Sequence, residues 1–118
     1  MYGFGKGVWT PSVDVYGGGN QTVVVVELPG VSSDETRLDV TPTTITVSGT
    51  RKSLSFPELS PLGLEILSGQ FERVIQLPSR VDTSSVEAVL ENGLLMITLK
   101  HVFPTTVSIP VRDPGKEE

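Results

Sequence analysis

Few side chains in this chain of 118 residues carry the chemistry that catalysis or metal binding requires. Cysteine is absent, which removes thiolate nucleophiles, disulfides and thiolate-held zinc or iron–sulfur centres together. His101 is the single histidine, and it stands at the start of a tail with no nucleophile or carboxylate at a recurring spacing from it. It reads as an exposed or half-buried residue following the final strand. The adjacent carboxylates Asp34-Glu35 and Glu117-Glu118 read as solvated surface charge, and Asp39, Asp82 and Glu91 lack calcium-loop spacing. Two glycine-rich stretches, Gly3-Phe4-Gly5-Lys6-Gly7 and Gly17-Gly18-Gly19, need a following helix to cradle phosphate, and no helical period follows either. No enzyme activity, metal or cofactor is expected.

The bulk composition narrows the partners. Nine Lys and Arg against fourteen Asp and Glu give a net charge of −5, and the nine are scattered, so a nucleic-acid footprint is not expected. No apolar run approaches the roughly 20 residues that span a bilayer, and the first residues do not resemble a signal peptide. A membrane partner is not expected, and the cytoplasm is the expected compartment. The length suits one domain with tails.

From Val13 onward, β-branched residues recur at alternate positions between Gly, Pro, Asn and Ser. Ser12 to Tyr16 predicts a strand closed by a Gly17-Gly18-Gly19-Asn20 turn. Val23 to Val26 is a continuous run that predicts a central strand covered on both faces, ended by Pro29-Gly30. Leu38 and Val40, then Ile45 and Val47, predict a hairpin around Pro42. Phe71, Ile75 and Leu77 define one further strand face, Val86, Ala88 and Leu90 a second, and Leu95, Ile97 and Leu99 a third. Asn92-Gly93, which accepts positive φ at both turn centres, joins the last two strands. Short strands with tight turns and no helical crossover predict an all-β, immunoglobulin-like antiparallel β-sandwich of seven to nine strands. The expected organisation is a short arm over 1–10, the sandwich over 11–100 with a long connection at 51–69, and an extension over 101–118.

Four motifs, at Trp9 to Tyr16, Glu27 to Val31, Gly69 to Pro78 and Ala88 to Leu95, follow one another in an order that resembles the α-crystallin domain of small heat-shock proteins, over about residues 9 to 111. Trp9-Thr10-Pro11-Ser12-Val13-Asp14-Val15-Tyr16 is similar to the family's first strand, and Glu27-Leu28-Pro29-Gly30-Val31 to its E-L-P-G-V turn. Gly69-Gln70-Phe71-Glu72-Arg73 with Leu77-Pro78 resembles its G-x-F-x-R and L-P, and Ala88 to Leu95 its A-x-L-x-N-G-V-L hairpin. The resemblance implies an ATP-independent holdase chaperone that binds unfolding client proteins and assembles with itself. A p23-like β-sandwich co-chaperone with one defined protein partner is the alternative.

Ile109-Pro110-Val111 is similar to the family's I-x-I/V motif, which implies docking into a groove on a neighbouring subunit. Two branched apolar residues around a proline are also pre-extended, so they enter an edge groove at low entropic cost. The groove positions would be Leu38, Val40, Val86, Ala88 and Leu90, or these simply face the core. The connection at 51–69 corresponds to the family's strand-exchange loop, which implies that Leu64, Glu65, Ile66 and Leu67 pair with Val13 and Val15 of a partner to form a dimer. Its other reading is a surface excursion. Arg73 interrupts the apolar face of Phe71 and Ile75, so it either meets an intersubunit carboxylate, as the family implies, or turns outward at a bulge. The sequence departs from the family in Ile66 and Ser68, where Arg and Tyr are frequent, and in having only about ten residues ahead of the first strand.

Overall fold

A computed structural model describes residues 8–102 and 108–116. Seven strands form two antiparallel sheets: β1 (Val13–Gly18), β2 (Gln21–Glu27), β3 (Thr36–Val40), β4 (Thr44–Arg51), β5 (Gly69–Gln76), β6 (Glu87–Glu91) and β7 (Leu94–Lys100). The first sheet has the order β1-β2-β7-β6 and the second β3-β4-β5. Among the described residues, helix is confined to three three-residue 3₁₀ turns.

Alternation sets the core. Val24 and Val26 of β2 stand opposite Ile97 and Leu95 of β7, and Val47 and Ile45 of β4 lie on the inward face of the other sheet, all essentially water-free. Each such aliphatic side chain contributes about 1.5–3 kcal/mol of burial free energy. Phe71 completes this layer opposite Gly49, where a Cβ would lie 2.0 Å from the Glu35 carbonyl oxygen and 2.8 Å from the Phe71 ring. Glycine at 49 therefore lets the chain before β3 close over the phenyl ring.

The turns follow their residues. Asn92 and Gly93 both have positive φ, 54° and 77°, as a two-residue hairpin turn requires. Gly30 at φ 81° ends the Pro29 turn after β2. Two expectations need correction. Gly17 and Gly18 belong to β1, paired with Thr22 and Gln21, so the turn is confined to Gly19-Asn20. β2 is central in its hydrogen bonding but fully buried on one face only, since Val24 and Val26 face the other sheet while Val23 and Val25, on the outer face, are half-buried. In addition, β5 ends at Gln76, and Leu77 packs on the core from just beyond it.

Candidate functional site

The segment before β1 fixes how the sheets stack. Trp9 forms a parallel bridge with Phe71, its amide donating to the Gln70 carbonyl at 3.1 Å and its indole Nε1 to the Gly69 carbonyl at 3.2 Å. Its ring lies 5.3 Å from that of Phe71. The segment leading into β1 is thereby held against β5, and β6 and β3 are the outer strands at the far ends of their sheets.

Those edges carry the expected groove residues. Leu38 and Val40 stand opposite Val47 and Ile45, and Ala88 and Leu90 stand opposite Ile97 and Leu95, so all four point inward. Leu38, Val40, Val86 and Leu90 are half-buried against the core, while Ala88 is exposed. Contact with the core, the simpler of the two expectations, accounts for Leu38, Val40, Val86 and Leu90, and β3 and β6, which they belong to or adjoin, are the outer strands of their sheets. Val81 sets β6 in place: its amide donates to the Pro42 carbonyl at 2.9 Å, and it bridges His101. Asp82 then accepts from the Ser84 amide at 2.9 Å and hydroxyl at 2.7 Å, hydrogen bonds that hold its carboxyl below the ordinary value of 3.8.

Ile109 and Val111 are 74% and 96% exposed and belong to no strand, and Pro110 between them is exposed as well. The triplet is not packed into its own sandwich.

Leu64, Glu65, Ile66 and Leu67 form no strand among the described residues, and all but the half-buried Leu67 are exposed. Their receiving positions differ: Val13 is half-buried against the core, whereas Val15 is exposed, and among the described residues β1 has a strand partner only in β2. The connection is anchored at its base. Arg51 donates to the Leu67 carbonyl at 3.0 Å and the Pro29 carbonyl at 3.2 Å, and its guanidinium carbon lies 4.2 Å from the centre of the Trp9 ring. Sequence reasoning missed this residue, because an arginine opening a polar stretch gives no sign of its indole partner forty-two positions earlier.

Arg73 lies opposite Val47 in an unbroken ladder, so no bulge turns it outward. It is half-buried, and its Nη1 donates to the Pro11 carbonyl at 3.2 Å. The two ion pairs formed among the described residues, Arg37 with Asp39 at 2.8 Å and Lys52 with Glu35 at 3.3 Å, do not include it. Glu35 is thus half-buried and partnered, not the freely solvated charge expected; hydrogen bonding from Ser32, with Lys52 beside it, lowers its pKa. His101 is half-buried, with Nε2 2.7 Å from the hydroxyl of fully buried Thr22. That contact ties the root of the tail to β2. Gly3 to Gly7 and Glu117-Glu118 lie outside the described residues.

Comparison with known proteins agrees with this architecture. The profile of the Hsp20/alpha crystallin family matches residues 14–112. Heat shock protein 16 of Schizosaccharomyces pombe is 36% identical over 100 residues, covering 81% of this chain and 69% of its own length. The 22.0 kDa heat shock protein of Arabidopsis thaliana is also 36% identical, over 93 residues, but this chain spans only 46% of it. Among solved structures, heat shock protein 16.0 from S. pombe superimposes with a TM-score of 0.72 at 31% identity, covering 87% of this chain and 98% of that one. A small heat-shock protein from Xylella fastidiosa, described as having a distinct high order structure, gives 0.71 at 27% identity and covers 91% and 100%.

Proposed function

Because the chain belongs to the Hsp20/alpha-crystallin family of small heat-shock proteins, we propose that it is an ATP-independent holdase that captures unfolding proteins and assembles through its own edges and tail. The observation that supports this reading is that Ile109-Pro110-Val111 lies exposed while Leu38, Val40, Val86 and Leu90, on or beside the outer strands β3 and β6, are only half-buried, and the proposed docking cleft runs between those two strands. In the proposed assembly the triplet of one copy enters the cleft of another, and client segments compete for the same apolar surface. Binding of the exposed, non-native form lowers its free concentration and slows aggregation by mass action, with no covalent step.

The dimer beneath this assembly is proposed to form by exchange, with Leu64–Leu67 of one protomer adding to β1 of its partner. Pairing there would cover two features otherwise exposed to aggregation, an unpaired strand edge and an apolar loop. Arg73 would meet a partner carboxylate at that boundary. A chain without cysteine suits a reducing compartment, and the cytoplasm is the proposed location.

The test is suppression of aggregation of an unrelated heated protein, followed by light scattering without nucleotide. Suppression at about equimolar subunits is expected. Scattering that rises as fast with the protein as without it would overturn the reading.

A further inference from the structure

The outer face of the four-stranded sheet bears side chains that lie outside the core and outside the contacts proposed above for assembly. Directly opposed residues share a face, so strand register places Asp14, Val25, Met96 and Val89 in one row across the sheet. Tyr16, Val23, Thr98 and Glu87 form the row beside it, and Glu27, Leu94 and Glu91 the row on the other side. Tyr16, Met96 and Val89 are 57%, 47% and 59% exposed, and the Tyr16 hydroxyl donates to Asp14 at 3.4 Å on this same face. The result is a continuous apolar stripe from Tyr16 to Val89 bordered by four carboxylates. Lys100, at one end beside Gln21, is the cation that shares the face among the described residues. None of the four carboxylates is in an ion pair formed among the described residues.

A contiguous apolar patch with a polar rim marks an interaction surface, and the sign of the rim selects the occupant. We propose that this face binds extended, cationic apolar client segments, in which a short run of branched or aromatic residues is flanked by Lys or Arg. The apolar run covers Val25, Met96 and Val89, and the flanking cations reach Asp14, Glu27, Glu87 and Glu91. Segments flanked by Asp or Glu meet like charge at the same rim and are rejected. This inference rests on the holdase reading and supplies the client chemistry that the cleft between β3 and β6 does not specify.

Met96 offers a direct probe, since the chain has only two methionines, Met1 and Met96. The full chain, labelled with ¹³C at the methionine methyls, is titrated with a synthetic peptide of Lys-flanked Val, Phe and Ile residues and with its Glu-flanked counterpart. The Met96 resonance is expected to shift with the first peptide, about tenfold more tightly than with the second, and the gap should close in roughly 0.5 M salt. The exposed charge reversals Glu87→Lys and Glu91→Lys together should invert the preference. Equal affinity for both peptides, or a preference unmoved by the reversals, overturns the proposal. So does a Met96 shift that follows protein concentration alone, which would assign the face to a second copy, or one that follows removal of residues 1–7 in peptide-free protein. Aggregation suppression by the unaltered chain separates the two readings: suppression without charge preference defeats this inference alone, whereas absence of suppression defeats the holdase reading.

Discussion

At the scale of single residues, Gly49 and Arg73 carry testable consequences for stability and assembly. A side chain at Gly49 would meet the backbone of Glu35, which cannot swing aside as a flexible side chain does. Gly49→Ala is therefore expected to cost about 1–3 kcal/mol, the usual range for overpacking, read as a lower midpoint of urea unfolding at unchanged slope. An unaltered midpoint would show that the segment before β3 yields freely. Arg73 acts differently, because its guanidinium sits half-buried with one bond to a neutral carbonyl and no carboxylate of the described chain beside it. A cation in that position favours an incoming acidic group. Arg73→Ala should weaken the dimer about tenfold or more by sedimentation equilibrium while leaving the circular dichroism of the sandwich intact; an unchanged dissociation constant would confine the residue to tying Pro11 to β5.

At the scale of elements, the strands were legible because period-two alternation and turn chemistry act within a few residues. Leu95, Ile97 and Leu99 all lie buried on one face of β7, and Asn92-Gly93 makes the turn its dihedral freedom allows. What escaped was burial set by distant partners. Leu28, Val31 and Val81 fill the core from irregular segments with no period to announce them, and Thr22 is buried beside a histidine seventy-nine positions away. Val23 to Val26 misled for the same reason, since a run of four valines carries no sign of which face another sheet will cover. The tail shows the limit most clearly: its triplet was legible as a motif, but it lies exposed and belongs to no strand of its own chain. Docking of Ile109 and Val111 predicts that Ile109→Gly with Val111→Gly reduces assemblies to dimers, as does removal of residues 107–118. Multi-angle light scattering at unchanged mass would refute the docking, and the paired glycine variant is informative because both side chains are exposed and contribute nothing to the fold of their own chain.

At the scale of the whole molecule, the long connection and the sandwich are separable by construction of the ladder. Arg51 and Gly69 are directly paired at the ends of β4 and β5, so the chain leaves and re-enters at neighbouring positions, and everything between projects from one point. Closing a shorter loop there lowers the entropic cost of the hairpin by about 0.6 kcal/mol for each halving of its length. Replacing residues 54–66 with a short Gly-Ser turn, with Arg51 and Leu67 retained, should leave thermal unfolding equal or slightly raised. The same change removes Leu64, Glu65 and Ile66, three of the four residues proposed to extend the partner's β1. The excised protein is therefore expected to be a folded monomer at micromolar concentrations, with the edge of β1 open to solvent and a greater tendency to aggregate on heating. A stable dimer of undiminished affinity would show that protomers meet through another surface. In that case the unpaired face bearing Tyr16, Met96 and Val89 becomes the first place to look for the contact, and the methionine resonance would report it directly.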